Sequence, residues 1–385
     1  MTPGSALIVG AGIGGLALAA GLQRQGWRVR VIERAATLSE IGAGLTVSPN
    51  AARALGWLGV MPALQPCLSL PPYQIAEDPL TGVEKSRFVR GPTALAEYGA
   101  PYAFVHRADL HGVLRDAVAT RDRGAIMLGR AVIGATATVD EATVDLEDGT
   151  RLTADLVIGA DGVKSAVRAS LLGESAARYT GFVAWRGLLP FHAVECRAIP
   201  AGSAVAWGVG KLFVRYRIDP RAMLNFVSFA KQREWAGESW TIPADPAVPA
   251  ELFADWHPAL SALWRATPAQ QCFQWGLLDR DPVERYDYGR IALLGDAAHP
   301  MLPFLGQGAA LALEDAVVLS RALDVSADVA ESLRRYSAAR LPRGAAAQLE
   351  SRAAGARLHG EGGDPRLVNE ETLDYFRYDA ATVAI

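Results

Sequence analysis

Ala6-Leu7-Ile8-Val9-Gly10-Ala11-Gly12-Ile13-Gly14-Gly15 is a short β-branched run that breaks into a glycine turn. Residues 16–25 then read as a helix, Gly26 ends it, and Trp27-Arg28-Val29-Arg30-Val31-Ile32 reads as a second strand closing on Glu33. The turn is a G-x-G-x-x-G: Gly10 permits the tight bend, Gly12 lets backbone approach a pyrophosphate, and Gly15 lets helix pack close on strand. A helix that starts there presents unpaired N–H groups and a positive dipole end. Glu33 lies eighteen residues after Gly15, where such a unit places an acceptor for a ribose hydroxyl. A glycine turn alone also occurs between packed elements that bind nothing. Strand, helix, strand and terminal acid together predict a dinucleotide site.

Composition bounds the rest. Half of the 385 residues are apolar, enough for a large core and more than one domain. A net charge of −3 without a Lys/Arg cluster argues against nucleic acid as a partner. The uncharged run 6–22 resembles a membrane span or a signal peptide, but its five glycines, its length and the lack of a basic leader weigh against both. No membrane association is expected. Cys67, Cys196 and Cys272 have no metal-ligand or redox spacing, so no metal is expected and they read as reduced, mostly buried thiols of a cytoplasmic protein.

Further along, Ile41-Gly42-Ala43-Gly44-Leu45-Thr46-Val47 either lets backbone pass close to something flat or is a plain turn, and Pro49 opens a helix to Leu58. Residues 65–105 are rich in proline and loop formers and read as an excursion from the first domain. Arg107 stands in the first turn of the next helix, where it opposes the dipole, so helix stability does not explain it. Asp148-Gly149 marks a hairpin. From Tyr179 to Trp275, aromatic and β-branched residues interleave in short strands, followed by a helix over 253–264. Helices over 309–323 and 327–357 precede a tail with Leu373 and Tyr378-Asp379. The expected fold is α/β with α+β character: a Rossmann-like domain from 1–70, 106–177 and 276–345, an inserted β-sheet substrate domain from 71–105 and 178–275, and a C-terminal helical segment and tail, 346–385.

Two later strand ends place a carboxylate beside glycine, Ala160-Asp161-Gly162 and Gly295-Asp296. With Glu33 they predict one long ligand across the carboxyl edge of a sheet. In this order, with Arg34 leaning the dinucleotide reading towards FAD, the chain resembles the class A FAD-dependent aromatic hydroxylases of the para-hydroxybenzoate hydroxylase fold. It looks closest to the salicylate, 3-hydroxybenzoate and 6-hydroxynicotinate hydroxylases, through Gly42-Ala43-Gly44, His106-Arg107-Ala108-Asp109-Leu110, Ala184-Trp185-Arg186-Gly187, His299-Pro300-Met301 and Gly306-Gln307-Gly308-Ala309. The resemblance implies that Glu33 binds the adenosine ribose, that Arg107 lies along FAD, that Asp296 binds the ribityl chain, and that Asp161 serves FAD and NAD(P)H binding. It implies that the stretch from Pro300 through Pro303, Gly306, Gly308 and Ala309 approaches the flavin ring with backbone N–H groups. The implied activity is NADH- or NADPH-dependent hydroxylation of a small anionic aromatic or N-heteroaromatic phenol with molecular oxygen, through a flavin hydroperoxide, by a monomer or homodimer. A flavin dehydrogenase or oxidase without oxygen insertion, or a non-catalytic flavin sensor, is the alternative.

For the substrate, Lys211 and Arg215 lie four apart on a strand and share a face. Either they bind a substrate carboxylate, as a guanidinium can bidentately, or they decorate an exposed strand edge. His299, beside the loop, either relays the phenol proton or makes a structural hydrogen bond. Thr46 stands where nicotinate-type relatives carry histidine.

Overall fold

The run at Ala6–Val9 is buried on both faces and forms an inner strand of a six-stranded sheet, as continuous apolar strands do. The computed structural model describes residues 4–38, 43–174, 177–194, 199–235, 242–326, 328–358 and 374–385. Gly42, Cys196 and Leu373 lie outside the described residues. From one edge the sheet runs Asp287–Tyr288, Ile291–Leu293, Leu156–Gly159, Ser5–Val9, Arg28–Ile32 and Ile126–Met127. All neighbours are parallel except the hairpin at the first edge. Val9 pairs with both Gly159 and Ile32, and Gly159 with Leu293, so the three strands run out together. Gly10, Glu33, Asp161 and Asp296 therefore leave the sheet along one edge.

The Ile13–Arg24 helix is apolar nearly all round because it is buried between this sheet and the Gly308–Val325 helix. That burial explains the uncharged opening run. At the crossing, a Cβ on Gly21 would stand 2.5 Å from Ser320 Oγ, and Gln25 Nε2 donates to the Ser320 carbonyl at 3.0 Å.

The second sheet has eight strands in the order Ile242–Pro243, Phe273–Asp279, Arg178–Pro190, Met223–Lys231, Lys211–Ile218, Ser203–Gly208, Tyr73–Glu77 and Glu84–Val89. The last two come from the early excursion and join through a parallel pairing of Tyr73–Glu77 with Ser203–Gly208. Two boundaries shift from the expected ones: this sheet keeps its strand to Asp279, and Ala103–His106 returns to pair with Gly44–Val47. The helix expected over 253–264 is instead two, Ala247–Leu252 and Pro258–Arg265, because Pro258 starts a helix capped by His257 Nδ1. These helices cover one face of the sheet through Trp185, Phe213, Phe226, Phe253 and Trp264. The long terminal helix, Val329–Leu358, runs past Pro342. Among the described residues no helix is long and apolar enough to cross a membrane.

A Cβ on Gly15 would lie 2.0 Å from the Gly10 carbonyl oxygen, whereas one on Gly12 would meet nothing within 4 Å. Backbone cannot yield as a side chain can, so Gly15→Ala is expected to lower stability by about 3 kcal/mol. Gly12→Ala is expected to unfold at the wild-type temperature, and thermal melts of the two variants check the contrast.

Candidate functional site

The carboxyl edge of the six-stranded sheet and the free face of the eight-stranded sheet enclose one cavity of about 910 Å³. Gly12, Gly14 and Arg34 line one end, and Trp207, Leu212, Phe229 and Trp275 line the other. Arg107, Asp161, Asp296, Thr46, Pro303, Gly306, Gly308 and Ala309, chosen from separate stretches of sequence, all line it as well.

At the first end the glycine turn is held from behind. Glu33 Oε2 accepts from the Ala11 N–H at 2.9 Å and Oε1 from Ala35 N–H at 2.8 Å. The Ile13–Arg24 helix starts at Gly12 with no side-chain cap, so its first-turn donors are left for a ligand. Asp161 accepts from Ala166 N–H at 2.7 Å and from the Ser165 hydroxyl, and so ties its strand end to the Ala166–Leu172 helix. Burial pushes its carboxyl up, against the pull of those donors. Arg168 on that helix donates to the carbonyls of Ala297 and Ala298, fixing the turn that carries Asp296. The Asp296 carboxylate is open to the cavity yet surrounded by protein, and this desolvation raises its pKa although His299 and Arg107 oppose the shift. An open glycine cradle at a helix start, with carboxylates set back from it, fits a dinucleotide with ribose and ribityl hydroxyls.

Residues 301–306 form the wall between the two ends. Gly306 takes a left-handed conformation, φ 63°, and a Cβ there would lie 3.7 Å from Thr46 Oγ1. Gln307 is buried, and its Oε1 accepts from Asn50 Nδ2 at 3.0 Å. The flat group beside Gly44 is a protein ring: a Cβ on Gly44 would lie 2.4 Å from Tyr216, which stacks on Phe104 at 4.0 Å.

Two expectations are corrected. Lys211 and Arg215 do share a strand face, but it is the face away from the cavity; Leu212, Val214 and Tyr216 line the cavity instead. Lys211 Nζ pairs with Asp255 at 2.7 Å, Phe213 between them packs on Phe253 and Trp264, and buried Arg215 pairs with Glu77 at 2.7 Å. Neither cation lines the cavity. His299 is fully buried behind the loop, 2.6 Å from Asp315 Oδ2, and does not line the cavity, an arrangement that matches the structural hydrogen bond. Pro300 is buried too, and its carbonyl accepts from Gln348 Nε2 at 2.9 Å. Residues passed over in the sequence, Asn50, Glu314, Asp315 and Arg340, support the loop from within. Only the two consecutive carboxylates inside an apolar run, Glu314 and Asp315, signalled them.

The FAD binding domain family matches residues 4–351. The 6-hydroxynicotinate 3-monooxygenase of Bordetella bronchiseptica is 35% identical over 89% of each chain. The 3-hydroxybenzoate 6-hydroxylase of Klebsiella oxytoca is 34% identical over 94% of this chain and 91% of its own. Among solved structures, Klebsiella pneumoniae HpxO complexed with FAD and uric acid superposes with a TM-score of 0.84 at 29% identity, covering 97% of this chain and 92% of that one.

Removing one member of a buried ion pair strands its partner, so Arg215→Ala is expected to cost about 3–5 kcal/mol, while half-buried Lys211→Ala is expected to cost no more than about 1 kcal/mol and to leave KM unchanged. His299→Asn is expected to lose about 1–3 kcal/mol with an unshifted pH–rate profile. Burial pushes the Asp315 carboxyl up, but His299 and Arg340 outweigh it and hold it below the usual carboxylate range. A carboxyl depressed in the fold contributes stability that is full above about pH 4 and is lost as pH falls. The stability gap between wild type and Asp315→Asn is therefore expected to narrow from pH 7 to pH 3, read by denaturant titration.

Proposed function

The chain belongs to the FAD binding domain family and, within it, to the FAD-dependent aromatic hydroxylases; from that premise we propose a single-component monooxygenase that uses NADH or NADPH to hydroxylate a small anionic aromatic or N-heteroaromatic phenol. The observation that carries this reading is the continuity of the cavity, from a glycine-turn cradle to a box of Trp207, Phe229 and Trp275. A ring in that box and a dinucleotide in the cradle would share one enclosed space.

When bound, FAD accepts electrons from the nicotinamide donor and activates oxygen for transfer to the ring. The chain's own part is binding, orientation and exclusion of water. Backbone N–H groups at Gly12 to Gly14 take the pyrophosphate. Glu33, whose oxygens each keep a second lone pair, accepts from the adenosine ribose. Asp296 accepts from the ribityl hydroxyls, and such a donor favours its ionised form, offsetting the burial that raises it. Arg34 and Arg107 lie along the phosphates. The N–H groups following Gly306 supply fixed dipoles at the ring, which act most strongly where water is excluded. Trp207, Phe229, Trp275 and Phe304, which line that end of the cavity, supply that exclusion and an apolar surface for the substrate ring. We further propose that it works in the cytoplasm as a monomer or homodimer.

The test is NADH and NADPH oxidation by the purified FAD-loaded protein against hydroxybenzoates, hydroxypyridine carboxylates and fused-ring phenols, with peroxide and product quantified together. Stimulated oxidation with oxygenated product is expected. Stimulation that yields peroxide alone with every ring would replace the reading by a flavin oxidase or dehydrogenase.

A further inference from the structure

The polar groups of the glycine turn are held one by one. Gly10 N–H donates to the Ile32 carbonyl at 2.8 Å, Ala11 N–H to Glu33 Oε2 at 2.9 Å, and the Gly12 carbonyl accepts from Leu16 N–H at 3.0 Å. The Ala11 carbonyl is met by a side chain from another element, since His111 Nε2 stands 2.7 Å from it. A carbonyl only accepts, so Nε2 carries the proton. Both residues are buried. His111 comes from the Arg107–Arg121 helix, which packs against the Ile13–Arg24 helix. Arg107 lies four residues before it and shares its face. Arg107 lines the cavity, so the face that carries both is turned to the cradle, while His111 itself stays behind the wall.

The consequence follows from the planarity of the peptide unit. The Ala11 carbonyl and the Gly12 N–H belong to one trans peptide and point in opposite directions. Holding the oxygen at His111 therefore aims the Gly12 N–H away from the helix, on the side of the cavity that Gly12 lines. Glu33 fixes the preceding peptide in the same way through Ala11 N–H. Two side chains thus hold successive peptide planes in a stretch where Gly10 and Gly12 would otherwise leave the backbone free to turn. A donor already oriented has less freedom to lose when an anion binds. Donation to the carbonyl also polarises the peptide and strengthens its N–H as a donor.

We propose that His111 is a positioning residue for the diphosphate of FAD: by donating from Nε2 to the Ala11 carbonyl, it aims the Gly12 N–H at the phosphate oxygens. It acts through the backbone and touches neither cofactor nor substrate. The assignment stands on FAD binding alone, whichever ring is oxidised.

The test compares the FAD-loaded full chain of wild type, His111→Gln, His111→Asn and His111→Leu. FAD dissociation constants are read from the flavin fluorescence released on serial dilution, and circular dichroism reports whether each variant is folded. Glutamine carries an N–H donor at the reach of Nε2, asparagine carries one only at the reach of Nδ1, and leucine carries none. His111→Leu and His111→Asn are expected to bind FAD about tenfold more weakly than wild type, and His111→Gln to stay within about threefold of it. A folded His111→Leu protein that holds FAD as tightly as wild type overturns the proposal. So does a glutamine variant that binds FAD no more tightly than the asparagine one, because packing around the ring rather than its donor would then set the affinity. That second comparison decides the matter even where His111→Leu does not fold. The readout needs no turnover, so it is independent of whether oxygen is inserted into any ring.

Discussion

The Asp315 carboxylate is the constraint on which the centre of this molecule depends. It is fully buried, and it accepts from Arg340 Nε at 2.6 Å and from the Gly295 N–H at 3.0 Å, with His299 Nε2 at 2.6 Å. A buried charge without partners is far more costly than any surface contact is favourable. The turn after the Ile291–Leu293 strand, the start of the long loop and the terminal helix are therefore all held around one carboxylate. Its neighbour Glu314 extends the arrangement through Arg340 at 2.8 Å, Arg343 at 2.7 Å and Asn50 at 2.7 Å. Arg343 also donates to the Tyr375 carbonyl, and Arg53 to those of Phe376 and Tyr378. The closing residues of the chain are tied to the same ionic centre as the strand that carries Asp296.

The legible part of the fold was the part written in local pattern. Gly10 to Glu33 could be read because strand, turn and helix each leave a mark within a few residues, and the ends at Asp161 and Asp296 because a short apolar run stops at glycine. The sheet then does what such patterns require, and aligns Val9, Gly159 and Leu293 at one edge. Thr46 reaches the cavity from the Gly44–Val47 strand itself, and Pro303 and Gly306 from the loop between the Ile291–Leu293 strand and the Gly308–Val325 helix.

What was not legible depends on which side of an element meets what. Period-two alternation places Lys211 and Arg215 together but does not say which face the helices at 247–265 will cover. Those helices, rich in Phe253, Trp256 and Trp264, took the charged side, with Asp255 and Glu77 receiving the cations. His299 was read from its place beside a loop, yet its partner Asp315 is sixteen residues on, and the helix turn between them hides the pairing in a linear reading. Gln348 and Ser351 sit in a helix with no apolar period of its own, because the stripe it buries mixes apolar with polar side chains, Leu333 and Tyr336 with Arg340, Gln348 and Ser351, the last two donating to a loop's carbonyls.

The packing of the Ile13–Arg24 helix against Gly308–Val325 has a kinetic consequence. The Ile13–Arg24 helix is almost wholly apolar, and its cover, Gly308–Val325, is synthesised long after it. Contacts so distant in sequence are slow to form, so a nascent chain must carry a sticky, half-finished sheet until residue 325 is made. Such exposure invites aggregation or chaperone capture. Carboxyl-terminal truncation or a slow codon run ahead of residue 308 thus strikes at recovery of soluble protein, even where every catalytic group has already been made.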